Sequence, residues 1–164
     1  AALTEKPSVR LLHAAGKRDY DRIRADWDAT AAGTCDRMTL TDYIYDMPIQ
    51  MAAADLVISR AGAMSISELA LTGKAVVFIP SPYVAENHQY KNAKALSDEN
   101  AAIVISEDEL NSDGKCRVCE CVDKLYEDES YREALSNNIR GFAKDDVEKN
   151  IFEAIEKVLH KKRK

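Results

Sequence analysis

The sequence lacks an excess of basic charge, a long apolar run and a signal peptide. Its 23 lysines and arginines are outnumbered by 28 aspartates and glutamates, which excludes a generally basic nucleic-acid binder. A phosphate group must then be bound by backbone amides and a few placed side chains. No apolar run approaches the roughly 20 residues that cross a bilayer, and no leader opens the chain. The sequence predicts a soluble, cytoplasmic protein.

Cysteine is also scarce, and the four cysteines of a leaderless chain are expected to be reduced thiols. Cys116, Cys119 and Cys121 form a cluster with the Cys-x-x-Cys spacing that is common in zinc sites. A second pair of ligands is missing, because the three histidines are scattered. Cys121 also fits the apolar face of an amphipathic helix. The pattern favours a helix with incidental thiols and leaves metal binding by the three open.

The length of 164 residues suits one domain, which buries roughly 68–70% of the surface of its unfolded chain. The opening residues, AALTEKPSVRLLHAAG, lack an initiator methionine and are typical of a helix tail that runs into a strand. We therefore expect residues 1–164 to be a fragment of a protein about twice as long.

Short apolar runs alternate with amphipathic stretches along most of the chain. The pattern predicts strands over 8–15, 38–44, 55–59, 75–79 and 101–105, and helices over 19–27, 46–54, 64–71 and 86–98. Asp46 is expected to cap the second helix and Gly73 to end the third. Strands separated by helices need crossover connections. We therefore predict a Rossmann-like α/β fold, a parallel sheet with helices on both faces, followed by C-terminal helices after Glu109.

Open parallel sheets bind ligands beyond the carboxyl ends of their strands, which selects three loops. The first loop reads SRAGAMSISE, in which Gly62 lets the backbone approach a ligand closely. The free amides of Ala63, Met64 and Ser65 then open a helix and form an anion site, beside the positive charge of Arg60.

Glu68 lies on the same face of that helix as Met64 and Ser65. A carboxylate at this position suits two hydrogen bonds from a ribose diol. The alternative is that the charge only favours the helix N-terminus electrostatically. The pattern alone does not separate the two interpretations.

The other two loops supply polar side chains and a strand end. In PSPYVAENHQYKNA, the residues His88, Gln89 and Asn92 begin a helix, and amide side chains suit sugar hydroxyls. Such a helix start is also typical of ordinary solvated surface. In YIYDM, Ile44 ends a strand, and its backbone N–H and C=O are placed to bind the edge of a flat base.

Together, in this order and spacing, ADLVISRAGAMSISELALTGKAVVFIP and ENHQYKNA resemble the C-terminal half of the MurG family of N-acetylglucosaminyltransferases. The resemblance is densest from Tyr43 to Ala93. It implies the GT-B fold, the donor UDP-N-acetylglucosamine (UDP-GlcNAc) and inverting transfer to the lipid-linked muramyl-pentapeptide of peptidoglycan synthesis. It also implies a whole protein that is peripheral on the cytoplasmic face of the plasma membrane. No metal or other cofactor is expected at this site.

The resemblance implies a donor-binding role for each candidate in the three loops. Ile44 would contact uracil through its backbone. The helix N-terminus after Gly62 would hold the diphosphate beside Arg60, and Glu68 would hold the ribose hydroxyls. The next helix start would contact the sugar, where His88 departs from the family's commoner Gln-Gln pair. The implied donor-binding residues are Ile44, Arg60, Ala63, Met64, Ser65, Glu68, His88, Gln89 and Asn92.

Three parts of the family have no counterpart in this sequence. They are the first strand of the domain with its glycine-rich G-G-S-x-G-A loop, the acceptor domain and the proposed catalytic base. No catalytic residue is therefore expected here, and the fragment alone is expected to be inactive. The edge left by the missing strand predicts a dimer of the fragment.

Three alternatives remain beside this hypothesis. One is another UDP-sugar transferase of the GT-B fold, such as the subunit of the split dolichol-linked GlcNAc transferase. The second is a UDP-sugar epimerase of the same architecture. The third is a non-enzymatic interaction module.

Overall fold

A computed structural model gives the structure of the protein and describes residues 2–110, 114, 116–144 and 147–161. Within these residues the strands are β1 (Leu11–Ala14), β2 (Met38–Thr41), β3 (Leu56–Ser59), β4 (Ala75–Phe78) and β5 (Ile103–Val104). The helices are α1 (Ala2–Glu5), α2 (Tyr20–Asp28), α3 (Met47–Ala53), α4 (Ala63–Thr72), α5 (His88–Asp98), α6 (Arg117–Glu127), α7 (Glu129–Arg140) and α8 (Val147–Lys161). Short 3₁₀ turns occupy Ala31–Thr34, Ala85–Asn87 and Glu107–Glu109.

The described strands form two parallel sheets. β1 pairs with β2, with Leu11 opposite Met38, and β4 lies between β3 and β5, with Val57 opposite Val76. The predicted parallel α/β fold is confirmed. The sequence predicted one sheet, whereas the described strands form two. β1 pairs only with β2 and β3 pairs only with β4, so no described strand joins β1 to β3.

β4 is the centre of the core, since all its side chains are buried. Val76 and Phe78 face a layer built with the buried sides of α4 and α5. Ala75 and Val77 face the opposite layer, which is built with α6 and α7. Helices thus cover both faces of the three-stranded sheet, as the continuously apolar sequence of β4 predicts.

All five strands are shorter than predicted, β3 and β4 by one residue each. β1 covers 11–14 instead of 8–15 and β5 covers 103–104 instead of 101–105, because each has a partner only along that length. β2 ends at Thr41, so the prediction that Ile44 ends a strand is wrong. The Thr41 hydroxyl donates to the carbonyl oxygen of Tyr43 at 3.0 Å and turns the chain away from the sheet.

Two helix ends were predicted from their sequence, with different outcomes. Asp46 precedes α3 but does not cap it with its side chain; Asp46 Oδ2 instead accepts a hydrogen bond from Gln50 Nε2 at 3.0 Å. Gly73 ends α4 as predicted. Its backbone is left-handed, with φ 61°, and its N–H donates to the Leu69 carbonyl oxygen at 2.8 Å.

α8, one of the predicted C-terminal helices, carries an exposed apolar stripe at helical spacing. Ile151, Ile155 and Val158 are 55%, 52% and 59% exposed. Over the residues that the structure describes, no helix combines the length and the apolar character that a membrane span requires.

Candidate functional site

The carboxyl end of β3 leads into α4, whose N-terminus faces open space. Gly62 precedes the helix, and no side chain of the described residues caps it. Ala63 and Met64 are exposed and Ser65 is half-buried. A Cβ built on Gly62 would meet only the Ser65 Oγ, at 3.8 Å. The first N–H groups of α4 are therefore accessible to an anion.

Glu68 lies one turn into α4 with an exposed side chain. Its carboxylate has no ion-pair partner in the described part of the chain. The neighbouring hydroxyls are used inside the helix: Ser67 Oγ donates to the Ala63 carbonyl oxygen at 3.0 Å, and Thr72 Oγ1 to that of Glu68 at 2.9 Å. The Glu68 carboxylate thus remains able to accept two hydrogen bonds from a ligand diol.

Arg60 follows β3, and its guanidinium reaches across the ends of the neighbouring strands. Its Nη1 donates to the Ile79 carbonyl oxygen, just after β4, at 3.0 Å. The same nitrogen lies 2.5 Å from Glu107 Oε1, just after β5. The carboxylate partly neutralises Arg60 and holds it toward β4 and β5. Glu107 was not predicted from the sequence, because nothing in the local pattern links it to a residue at another strand end.

The loop after β4 has a constrained backbone. Glu86 and Asn87 have φ 52° and 54°, a left-handed conformation that is uncommon for residues other than glycine. These angles interrupt the helix predicted from residue 86, so α5 begins at His88. Gln89 Oε1 accepts a hydrogen bond from the Ser81 N–H at 2.9 Å and closes the loop. Such locally strained backbone is concentrated at ligand sites.

Three predicted sugar-contacting side chains lie in the first turns of α5. His88 Nδ1 lies 2.8 Å from the Ala85 carbonyl oxygen, which leaves Nε2 for another partner. Gln89 keeps its amide NH₂ group, since its oxygen is used by Ser81. Asn92 is half-buried one turn further along. Donors and acceptors suited to hydroxyl groups therefore stand together at this helix start.

Ile44 lies half-buried in the loop between β2 and α3. The exposed rings of Tyr43 and Tyr45 lie on either side of it in sequence, with centroids 5.0 Å apart and planes at 69°. Lys17 Nζ is 5.9 Å from one ring centroid and 5.8 Å from the other. This aromatic pair was not among the predicted site residues, although the Tyr-x-Tyr spacing around Ile44 signals it.

The structure brings the α4 and α5 candidates to one edge of the three-stranded sheet. Leu69 of α4 and Ala93 and Leu96 of α5 share one core with β4, so both helices start beside neighbouring strand ends. Ile44 lies in the loop after β2, which is a strand of the other sheet. It is connected to this edge through α3, whose Met51 packs against the same core.

The cysteine cluster lies apart from these loops, at the start of α6. Cys116 and Cys119 are joined in a disulfide, so the expectation of four reduced thiols is wrong for this pair. Cys35 and Cys121 are free. Among the described residues, no three histidine, cysteine or acidic side chains are grouped closely enough to hold a metal ion.

Comparisons with known proteins identify relatives of one kind. The profile of the glycosyltransferase family 28 C-terminal domain matches residues 1–157. The UDP-N-acetylglucosamine--N-acetylmuramyl-(pentapeptide) pyrophosphoryl-undecaprenol N-acetylglucosamine transferase of Christiangramia forsetii is 40% identical over 94% of this chain and 39% of that protein. The protein of the same name from Bacteroides thetaiotaomicron is 37% identical over 96% and 41%. The chain thus spans about two fifths of the length of these relatives.

Solved structures agree with this assignment. The crystal structure of Acinetobacter baumannii MurG matches with a TM-score of 0.78 and 25% identity, over 95% of this chain and 44% of that one. The glycotransferase of kitacinnamycin, at 18% identity and a TM-score of 0.58 over 84% of this chain and 33% of that one, shares the fold alone. The resemblance to MurG and the predicted GT-B architecture are confirmed. The chain belongs to the glycosyltransferase family 28 C-terminal domain family.

Proposed function

We propose that this chain binds the donor UDP-GlcNAc in an inverting N-acetylglucosaminyltransferase. The whole enzyme would transfer GlcNAc to a lipid-linked muramyl-pentapeptide. The observation that carries the proposal is the uncapped N-terminus of α4 with the exposed carboxylate of Glu68 one turn away. Both lie beyond the carboxyl end of β3, where open α/β sheets bind nucleotides. The family and the names of the curated relatives support the donor and the reaction.

The α4 N-terminus would bind the diphosphate through the amides of Ala63, Met64 and Ser65, because a helix N-terminus carries roughly half a positive elementary charge. Glu68 would accept hydrogen bonds from both ribose hydroxyls. Arg60 would add positive charge from the end of β3. A chain of net charge −5 would in this way bind an anionic ligand without a basic patch.

The base and the sugar would be bound on either side of the diphosphate. The backbone of Ile44 would contact uracil, next to the Tyr43–Tyr45 pair. The first turns of α5 would contact the hydroxyls of GlcNAc. The side chains proposed for the sugar are His88, Gln89 and Asn92.

No residue of this chain is proposed to be catalytic. Inverting transfer needs a base that removes the acceptor proton and groups that stabilise the diphosphate as it leaves. The α4 N-terminus would supply part of the second requirement. The base would belong to an acceptor domain in the remaining length of the whole protein, at the cytoplasmic face of the membrane where the lipid-linked acceptor lies. The isolated chain is therefore expected to be inactive.

We also infer that a further parallel strand lies between β1 and β3 in the whole protein. Doubly wound sheets commonly run from the third strand through the second and first to the fourth, fifth and sixth. The orders β2-β1 and β3-β4-β5 fit this arrangement if one first strand separates them. A glycine-rich loop after that strand would complete the phosphate site. In the isolated chain, β1 and β3 would each have one unpaired edge. We expect these edges to pair with strands of a second copy.

NMR titration of the labelled chain with UDP and UDP-GlcNAc tests the donor site. We expect shifts of the α4 amides and of Gln89 at millimolar ligand. Glu68→Gln should weaken UDP binding about tenfold, because the ribose loses hydrogen bonds to a charged acceptor. Glu133→Gln removes an exposed carboxylate of α7 and should leave the affinity unchanged. Unperturbed α4 amides, or equal losses in the two variants, would contradict the proposal.

The same titration with UDP-glucose and UDP-galactose separates the enzymatic alternatives. We expect larger chemical-shift changes at His88, Gln89 and Asn92 with UDP-GlcNAc than with UDP-glucose or UDP-galactose. A preference for UDP-glucose or UDP-galactose would favour another UDP-sugar transferase or an epimerase.

A further inference from the structure

Two cysteines that the donor site does not use lie at the start of α6. Cys116 is the residue before the helix, Cys119 lies within its first turn, and their Sγ atoms are joined. α6 packs on the face of β4 that carries Ala75 and Val77, whereas α4 and α5 pack on the opposite face. The cysteine pair is therefore separated from the proposed donor site by the sheet.

The two cysteines have different surroundings. Cys116 is exposed, and its Sγ accepts the backbone N–H of Cys119 at 3.3 Å. When the pair is reduced, this N–H and the positive end of the helix dipole favour a thiolate at Cys116, as in reactive Cys-x-x-Cys motifs. Cys119 is half-buried in the helix turn. The position before the helix thus suits a nucleophile, and the position inside the turn suits the thiol that completes the disulfide.

Cys121 and Cys35 provide internal references in the same chain. Cys121 is half-buried against the core around Leu125, and burial raises the pKa of its thiol. A raised pKa lowers the thiolate fraction and slows the reaction with disulfides. Cys35 lies in the other half of the molecule, after the 3₁₀ turn Ala31–Thr34, and it is also free.

We propose that Cys116 and Cys119 form a reversible thiol–disulfide site whose substrate is a low-molecular-mass disulfide such as glutathione disulfide. The Cys116 thiolate attacks one sulfur of the substrate, whose S–S bond breaks, and the first leaving thiolate takes up a proton. The Cys119 thiol then loses its proton and attacks Cys116 Sγ, which releases the second thiol. Two cysteine thiols are oxidised while one disulfide is reduced to two thiols.

The disulfide has a local structural consequence. It adds a covalent link to the hydrogen bond that caps α6, so it fixes the first turn of this helix. The same helix anchors the N-terminal segment: Asp123 Oδ1 lies 3.2 Å from Lys6 Nζ, and the Tyr126 hydroxyl lies 2.7 Å from Ser8 Oγ. Oxidation is therefore expected to slow amide exchange at the start of α6.

To test this, the reduced chain is incubated in glutathione buffers with an increasing proportion of glutathione disulfide. The remaining free thiols are then labelled with a maleimide and identified by mass spectrometry. Two of the four thiols should become protected, at Cys116 and Cys119, and dithiothreitol should restore all four. Hydrogen exchange of the reduced and oxidised chains should differ in the first turn of α6. Circular dichroism of every variant verifies its fold.

Single substitutions assign the order of attack. Cys119→Ser should accumulate a glutathione mixed disulfide on Cys116, because the thiol that resolves it is missing. Cys116→Ser should form much less adduct, and Cys121→Ser should behave as the unmodified chain. Four free thiols in fully oxidised buffer, protection that includes Cys121, or faster adduct formation in Cys116→Ser would overturn the proposal. None of these outcomes depends on nucleotide binding.

Discussion

The β3–β4–β5 sheet and the β1–β2 sheet have the same parallel pairing but very different burial. Every side chain of β4 is buried, and helices cover both of its faces. In β1, only Leu11 is even half-buried, and Leu12 is 37% exposed. Met38 and Leu40 are the buried residues of β2. The first half of the chain therefore contributes little to the common core.

This difference arises from position in the sheet more than from composition. Both LLHA of β1 and AVVF of β4 are rich in apolar residues. β4 has a strand on each side and a helix layer on each face, whereas β1 has one neighbour. A strand inserted between β1 and β3, as proposed above, would make β1 an interior strand. The exposure of β1 would then mark an incomplete sheet, and stability should be concentrated in the β3–β5 half.

The largest expected effect compares one apolar strand side chain from each half. Phe78→Ala should reduce the free energy of unfolding by about 3–5 kcal/mol, because it leaves a cavity between β4 and its helices. Leu12→Ala should cost about 1 kcal/mol or less, since the side chain is already 37% exposed. Urea denaturation followed by circular dichroism measures both. Equal losses would show that the two halves are equally packed.

A smaller difference is expected at two glycines with left-handed backbone, Gly73 with φ 61° and Gly16 with φ 78°. Alanine at either position should cost about 1–3 kcal/mol in backbone strain. Gly73→Ala should destabilise the protein more than Gly16→Ala. A Cβ at Gly73 would collide with the Arg140 side chain, whereas a Cβ at Gly16 has free space. Thermal denaturation compares the two. Asparagine, which tolerates this conformation, should recover part of the loss at Gly16, and a more damaging change at Gly16 than at Gly73 would refute the comparison.

The smallest effect is expected for an ion pair in each half. A double-mutant cycle with Arg60→Gln and Glu107→Gln should give a coupling of about 0.2–1 kcal/mol, since the pair joins two strand ends but stays partly exposed. The Arg24–Asp28 pair lies along the exposed surface of α2, at 2.9 Å, and should couple less. Denaturant titrations of all four variants of each cycle supply the values. A larger coupling for Arg24–Asp28 than for Arg60–Glu107 would contradict this ranking.

Most of the fold was predictable because its signals are local. The apolar runs of β3 and β4 predicted parallel strands buried on both faces, which is confirmed for β4, whereas the residues of β3 are half-buried or exposed. Gly73 predicted the end of α4. The start of α5 was not predictable in the same way, because residues 86–98 read as one helical stretch. Only the left-handed backbone of Glu86 and Asn87 separates the 3₁₀ turn from the helix. Asp46 failed as a cap since Gln50 competes for its carboxylate.

The candidate site was predictable as a set of loops but not as a set of contacts. Ala63, Met64 and Ser65 do open a helix, and Glu68 does present an exposed carboxylate. The partner of Arg60 could not be predicted, because an ion pair between two strand ends depends on which strands are neighbours.

By itself the sequence determined the order of strands and helices, the position of the α4 N-terminus and the family, since periodicity, glycine and short motifs act within a few residues. Only the tertiary structure decided that β4 is fully buried whereas β3 is not, that Gln89 is hydrogen-bonded to the Ser81 N–H and that Arg60 pairs with Glu107. It also divided the strands between two sheets. These features depend on strand neighbours and side-chain geometry, and such contacts between residues distant in sequence exist only once the chain has folded.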